Sequence, residues 1–287
     1  MSTKHAYRVT ALARSASVAE AISVHWKEYL MEGTELGAFM LSTCIFGTLI
    51  YNNRSPLDSL ALSPVFESSL MGIAMAATVF LLIQSPFGRR TGAHFNPAVT
   101  LTFLWLHRMH RWDAAFYIAA QFCGAFAGVL VARGMVGLRL SEPPVQYMVT
   151  LPGKYGSAIA FAFEFVLSVL LMSTVLYASN HRLLARFTPA LVAMLTVLYY
   201  VLSPSISGFS VNPARSLSSA LFAWIWRGIW IYFSAPCLGM LTAATIYIRW
   251  VGSDRVGIVR KYFTTRGQYV RFLVISSECI KNGKTQG

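Results

Sequence analysis

Hydrophobic residues make up 55% of the 287-residue chain and charged ones only 12%, with a mean hydropathy of +0.54; soluble globular domains carry about 25% charged residues, so the composition points to a membrane protein. The formal net charge of +13 is not a nucleic-acid footprint, because the Lys and Arg gather in the terminal segments and loops without the interleaved aromatics of a stacking platform. Cys44, Cys123 and Cys237 lie in apolar runs and Cys279 in a polar one; this fits neither a metal site nor a disulfide framework, and no cofactor is expected.

Residues 1–30 read as a cytoplasmic tail: they contain Ser and Arg and few acids, as a transit peptide does, but lack the long apolar core of a secretory signal. A spanning helix needs roughly 20 mostly apolar residues. Six stretches qualify, at about 33–51, 66–85, 113–133, 157–179, 187–203 and 228–248. Two further apolar pieces, NPAVTLTFLWL after the second span and NPARSLSSALFAWIW after the fifth, are too short to cross. Ten residues of helix rise only about 15 Å, half the hydrocarbon core. These elements make one membrane domain, residues 31–250, followed by a basic segment, residues 251–287. In that segment Tyr262, Phe263, Tyr269 and Phe272 stand among Lys and Arg, which fits docking on an anionic membrane surface or a regulator and equally fits a solvated tail.

Basic residues concentrate before the first span (Lys4, Arg8, Arg14, Lys27), between the second and third (Arg89, Arg90, Arg108, Arg111), between the fourth and fifth (Arg182, Arg186) and after the sixth (Arg255 to Lys284). An even number of spans keeps both tails on one side, and the positive-inside rule makes that side cytoplasmic.

The chain also repeats itself. Each half, about 33–133 and about 157–249, opens with a span holding an acid, Glu35 or Glu164, continues with a second span and an Asn-Pro-Ala piece, and closes with a third span. In the third spans QFCGA (121–125) matches PCLGM (236–240); Asn96 to Gly124 is 28 positions and Asn212 to Gly239 is 27. Three spans per half is an odd number, so the halves insert in opposite senses, and an inverted repeat brings its broken segments together near the midplane. The expected fold is an all-α membrane protein of six transmembrane helices plus two re-entrant half-helices in an inverted 3+3 repeat.

Irregular backbone at membrane depth is tolerated only where protein buries it or where it lines a water-filled cavity. Pro97 and Pro213 suit the first helical position, where a missing N–H costs nothing, and Asn96 and Asn212 suit the N-cap. Each Asn amide NH2 is then free to donate into a lumen. The inversion aims the positive ends of both half-helices at one midplane region, which repels cations and offers donors to a passing oxygen.

GAHFNPAVTL and GFSVNPARS, together with Glu35, Glu164, Gln121 with Gly124, and Pro236 with Gly239, resemble the aquaporin (major intrinsic protein) family over roughly residues 30–250. The resemblance implies a right-handed helical bundle, a homotetramer in the lipid bilayer with one pore per subunit, and passive conduction of water or small uncharged solutes. It also implies residue roles. Asn96, Asn212, Pro97 and Pro213 form the pore centre; the carbonyls of Gly92, Ala93, His94, Gly208, Phe209 and Ser210 form a ladder of acceptors; Glu35 and Glu164 brace the half-helix backbones. Arg215 is the filter arginine, costly inside a membrane and therefore functional, with Tyr200 and Phe209 as further filter walls. The fourth wall falls at Met75, or at Met71 if the second span is shifted by a turn, because the loop FGRRTGAH is one residue longer than the usual pattern.

A water channel that excludes ions and protons is the leading expectation, since Tyr200 occupies the space a glycerol carbon chain needs and Ser216 stands where glycerol facilitators tend to carry Asp. The alternative within the family is a channel for a gas, peroxide or small polyol, suggested by the Met and Phe walls. A coupled secondary transporter also has inverted repeats with broken helices, but the spans offer few groups to couple an ion. An enzyme is not expected: His94, His107, His110 and His181 lack metal-ligand spacing, and no nucleophile has a base. The protein is expected in the plasma membrane.

Overall fold

The computed structural model describes residues 17–251; the rest of the two terminal segments, including Tyr262, Phe263, Tyr269, Phe272 and Cys279, lies outside the described residues. Among the described residues the chain is helical, without strands: α1 Val18–Tyr51, α2 Pro64–Gln84, α3 Pro86–Thr91, α4 Pro97–Trp105, α5 Arg111–Val136, α6 Gly156–Asn180, α7 Thr188–Leu202, α8 Pro213–Ala223 and α9 Ile229–Val251. Six of these, α1, α2, α5, α6, α7 and α9, are long and apolar enough to cross a membrane. The helices α4 and α8 have 9 and 11 residues, about 14 and 17 Å of rise, and end inside the bundle as half-helices.

Two elements differ from the sequence expectation. Helix α1 starts at Val18 rather than near 33, because Ser17 caps it by accepting from the Glu20 N–H and no Gly or Pro interrupts residues 18–32. Its added turns interleave Glu20, Ser23, His25, Lys27, Glu28 and Glu32 with apolar residues, and they dock. Tyr29 donates to Asp113 at 2.7 Å, His25 Nδ1 meets the same carboxylate at 2.9 Å, and the Arg90 guanidinium bonds Glu28 through Nε at 2.8 Å and a terminal nitrogen at 2.6 Å. Residues 18–30, expected as tail, are thus a helical extension fastened to α5 and α3. The second difference is α3 itself, one short helix started by Pro86 at its first position and by Ser85, whose hydroxyl accepts from the Gly88 N–H.

The outer surface of the bundle is apolar where a soluble protein's would be polar, while its interior holds a few buried acids. Ile73, Leu81, Leu130, Val131 and Met194 face outward, whereas Glu32, Glu35, Gln121 and Glu164 are buried. Lipid as solvent dictates that arrangement, because ionisable groups within spans turn to the interior and find partners there. Helix α1 packs on α5 and α6 on α9, while α2 meets α7 across the two halves. Each half-helix leans on the third helix of the other half, α4 on α9 and α8 on α5, so neither half closes alone.

With no hydrophobic drive between helices in lipid, small residues let backbones approach. A Cβ on Gly33 would stand 2.8 Å from the Ala120 carbonyl oxygen, and one on Gly124 would run into the carbonyl of Gly33. In the second half a Cβ on Gly239 would stand 2.5 Å from the Phe165 carbonyl oxygen. The two glycines matched in the sequence therefore do the same work. Gly124→Leu is expected to cost roughly 3 kcal/mol or more through overpacking, read as a lowered Tm and poor recovery of folded protein. Gly134→Ala, whose Cβ would meet nothing within 4 Å, should leave Tm unchanged or slightly raised.

Candidate functional site

The two loops that lead into α4 and α8 have matching strained backbones. Positive φ occurs at Gly92 (101°), Ala93 (53°) and Phe95 (28°) in the first, and at Gly208 (73°), Phe209 (53°) and Val211 (48°) in the second. Non-glycine residues held there cost about 1–3 kcal/mol each and persist only when the surroundings over-determine them.

The surroundings here are buried carboxylates. Glu164, fully buried, accepts from the Ser207 hydroxyl at 2.7 Å, the Ser210 N–H at 3.0 Å and the Val211 N–H at 2.7 Å. In the first half that work is divided. Glu32 accepts from the Phe95 N–H and, at 2.8 Å, from the Gln121 amide, while Glu35 accepts from the Thr91 hydroxyl at 3.1 Å. Glu35 reaches the loop through Thr91, whose hydroxyl in turn accepts from the Ala93 N–H at 3.0 Å. Register explains the split: Gly124 abuts Gly33 where Gly239 abuts Phe165, so the residue in the place of Glu164 is Glu32, three positions before the acid expected from sequence.

The symmetry continues outward. Tyr117 donates to the Thr91 carbonyl at 3.1 Å and Tyr232 to the Ser207 carbonyl at 2.7 Å. His94 Nδ1 lies 3.1 Å from the Thr100 hydroxyl, and the Ser210 hydroxyl 2.5 Å from that of Ser216. Sequence reading missed Tyr117 and Tyr232, although both stand four positions before the matched Gln121 and Pro236.

At the centre the two Asn-Pro-Ala turns cross. Asn96 Oδ1 accepts from the Ala98 N–H at 2.9 Å, and Asn212 Oδ1 from Ala214 at 3.0 Å and Arg215 at 3.3 Å, the N-cap role expected, with Pro97 and Pro213 at the first helical position. The amide nitrogens are not wholly free. Asn96 Nδ2 donates to the Val211 carbonyl at 2.7 Å and Asn212 Nδ2 to the Phe95 carbonyl at 2.8 Å. Each Asn spends one N–H tying the opposite loop and keeps one. Among the described residues, the carbonyls of Gly92, Ala93, Gly208, Phe209 and Ser210 take no hydrogen bond from the protein.

Arg215, 4% exposed on the first turn of α8, comes together with Tyr200 and Phe209. The Tyr200 side chain lies beside that of Arg215, and the Tyr200 and Phe209 rings meet edge to face, 4.8 Å between centroids at 84°. Tyr199 backs Phe209 in the same manner at 5.4 Å and is pinned by its own bond to the Leu167 carbonyl at 2.9 Å. One nitrogen of Arg215, Nη1, has no protein partner. Met75 and Met71 are both fully buried in the apolar cluster that holds Tyr200 and Phe209; the Met75 sulfur lies 3.7 Å from the Thr43 hydroxyl. Cys44 stands within electrostatic range of both Arg215 and Tyr200, a neighbour that nothing in its apolar sequence context announced. Among the described residues no group of three or more His, Cys, Asp or Glu is placed to hold a metal.

The major intrinsic protein family model matches residues 23–247. The chain belongs to that family. Its members are channels, and this protein is an integral multi-pass membrane channel for small neutral solutes rather than an enzyme. It is similar to a probable aquaporin of NIP type from Nicotiana alata, 32% identical over 193 residues that cover 66% of this chain and 69% of that one. Aquaporin Z of Rhodopseudomonas palustris is 30% identical over 205 residues, 68% of this chain and 85% of the relative. Among solved structures the fold is shared with the aquaglyceroporin from Plasmodium falciparum, at a TM-score of 0.67 and 20% identity over 80% of this chain and 98% of that one.

The division of bracing in the first half carries an expectation. Glu164→Leu leaves three buried donors without an acceptor, each costing about 1–3 kcal/mol, and should abolish folded channel. Glu32→Leu and Glu35→Leu should each cost less than Glu164→Leu, with Glu32→Leu the worse because it exposes a backbone N–H. Thermal unfolding in detergent checks the order.

Proposed function

We propose that the chain is a water channel that excludes ions and protons. The observation that carries this reading is the Tyr200 side chain, whose ring meets Phe209 at 4.8 Å and which lies beside Arg215. In the proposal these three, with Met75 as the fourth wall, form the filter. A tyrosine packed edge to face on Phe209 beside Arg215 narrows the passage where a polyol needs room for its carbon chain, while a single water needs only acceptors and donors in file.

The other parts follow from the geometry around the crossing. A water leaving bulk exchanges its partners for the carbonyls of Gly92, Ala93, His94, Gly208, Phe209 and Ser210 and for the Asn96 and Asn212 amides, so dehydration costs little. The remaining N–H of each Asn donates to the oxygen of the central water, which turns both its hydrogens outward and interrupts a proton wire. The N-termini of α4 and α8 and the charge of Arg215 oppose cations. Basic residues at one end of the bundle, Lys27, Arg89, Arg90, Arg182 and Arg186, support cytoplasmic termini in the plasma membrane. A homotetramer is part of the same proposal.

A second reading, a channel for a less polar neutral solute, is favoured by the apolar share of the constriction: Met75, Met71 and Phe209 lie in one cluster with Tyr200. Stopped-flow shrinkage of proteoliposomes separates the two. Water permeability at least tenfold above empty vesicles, with glycerol permeability at the level of the empty control, is expected. Tyr200→Gly should admit glycerol while keeping water flux. Folded protein that leaves water permeability at the empty-vesicle level would sink the proposal.

A further inference from the structure

The charges of the two halves are distributed differently. Residues 17–142 contain eight acids, whereas residues 143–253 contain Glu164 alone, although they carry Lys154, Arg182, Arg186, Arg215, Arg227 and Arg249. In the first half three basic residues have carboxylates beside them: Arg90 bonds Glu28, His25 meets Asp113, and Arg54 approaches Glu142. Among the described residues no such pair exists in the second half.

Three of those unpaired arginines share one end of the bundle. Helices α6 and α9 pack along each other and finish side by side, where Tyr247 of α9 lies beside Asn180 of α6. Arg182 and Arg186 lie in the turn just past α6, and Arg249 in the last turn of α9; all three are exposed. Around them stand apolar and aromatic side chains open to the surroundings: Trp250 is 86% exposed, Leu183 71%, Tyr177 58% and Phe187 46%. Tyr177 stacks on His181 with centroids 5.7 Å apart, and the Arg186 guanidinium lies 4.6 Å from the Phe187 ring centroid. Residues 252–287 do not neutralise the patch, since they add seven Lys and Arg against Asp254 and Glu278.

We infer that this end of the second half is a binding site for an anionic phospholipid, with the phosphate held among Arg182, Arg186 and Arg249 and the glycerol backbone and upper acyl chains against Phe187, Leu183 and Trp250. Exposed aromatics lie at the headgroup level of a bilayer, and guanidinium groups suit phosphate through bidentate donation. The first half's end on the same side carries its own acids, Glu28 on Arg90 and Asp113 at His25, which repel an anionic headgroup there.

Native mass spectrometry of the full-length channel with mixed phosphatidylglycerol and phosphatidylcholine tests this, by counting lipids retained after detergent removal. Each juxtamembrane arginine is expected to contribute about fivefold to the preference for the anionic lipid. R182Q/R186Q/R249Q should therefore lose most of that preference, while K154Q/R227Q at the opposite end keeps it. Should the triple variant fail to fold, each single variant is to weaken the preference at least twofold. Equal retention of phosphatidylglycerol by wild type and these variants, or an equal loss in K154Q/R227Q, would overturn the site; so would displacement of phosphatidylglycerol by free inorganic phosphate or by an acidic peptide at equal charge.

Discussion

Two asparagine side chains, each donating to the carbonyl that precedes the other, hold the two halves of the channel together at its centre. A re-entrant half-helix is a liability inside a bilayer: its first N–H groups have no helical partner, and its loop has left the regular hydrogen-bonding pattern altogether. One Asn solves the first difficulty by capping its own helix. The bond from Asn96 to Val211 and that from Asn212 to Phe95 address the second, by making each loop the support of the other. Because the donor in one half serves the acceptor in the other, neither half-helix has a stable place without its twin.

That constraint propagates outward. Crossing at the apex requires each loop to pass through left-handed conformations at non-glycine residues, and such strain needs buried acceptors to hold it. The carboxylates that do so must come from the first helix of each half, which in turn must approach the third helix at backbone contact through Gly33 and Gly124, or Phe165 and Gly239. The filter is a by-product of the same frame. Arg215 follows Asn212 on the first turn of α8, Phe209 precedes it in the loop, and Tyr200 on α7 meets both.

Much of this was legible in the sequence, and the parts that were not share a cause. The spans and half-helices were readable because lipid imposes a length and an apolarity that few other contexts do. The paired Asn-Pro-Ala stretches fixed the repeat, and with it the neighbourhood of Arg215. The start of α1 is not legible from hydropathy because six charged or polar residues interrupt the apolar ones over 18–32, where capping and ion pairs take over. Glu35 was matched to Glu164 on composition, although only the packing of Gly33 on Gly124 reveals that Glu32 stands in the equivalent place. The crossing bonds join residues 115 and 117 positions apart, and no local pattern encodes them.

The reciprocity of the two crossing bonds is the central claim, and a double-mutant cycle with Asn96→Ser and Asn212→Ser addresses it most directly. Serine keeps the N-cap acceptor but lacks the reach to the opposite loop. If each loop supports the other, the second replacement costs clearly less than the first, with a coupling of about 1 kcal/mol or more in thermal unfolding of the folded channel. Additivity within about 0.5 kcal/mol would contradict the account, since it would mean that each asparagine only caps its own helix.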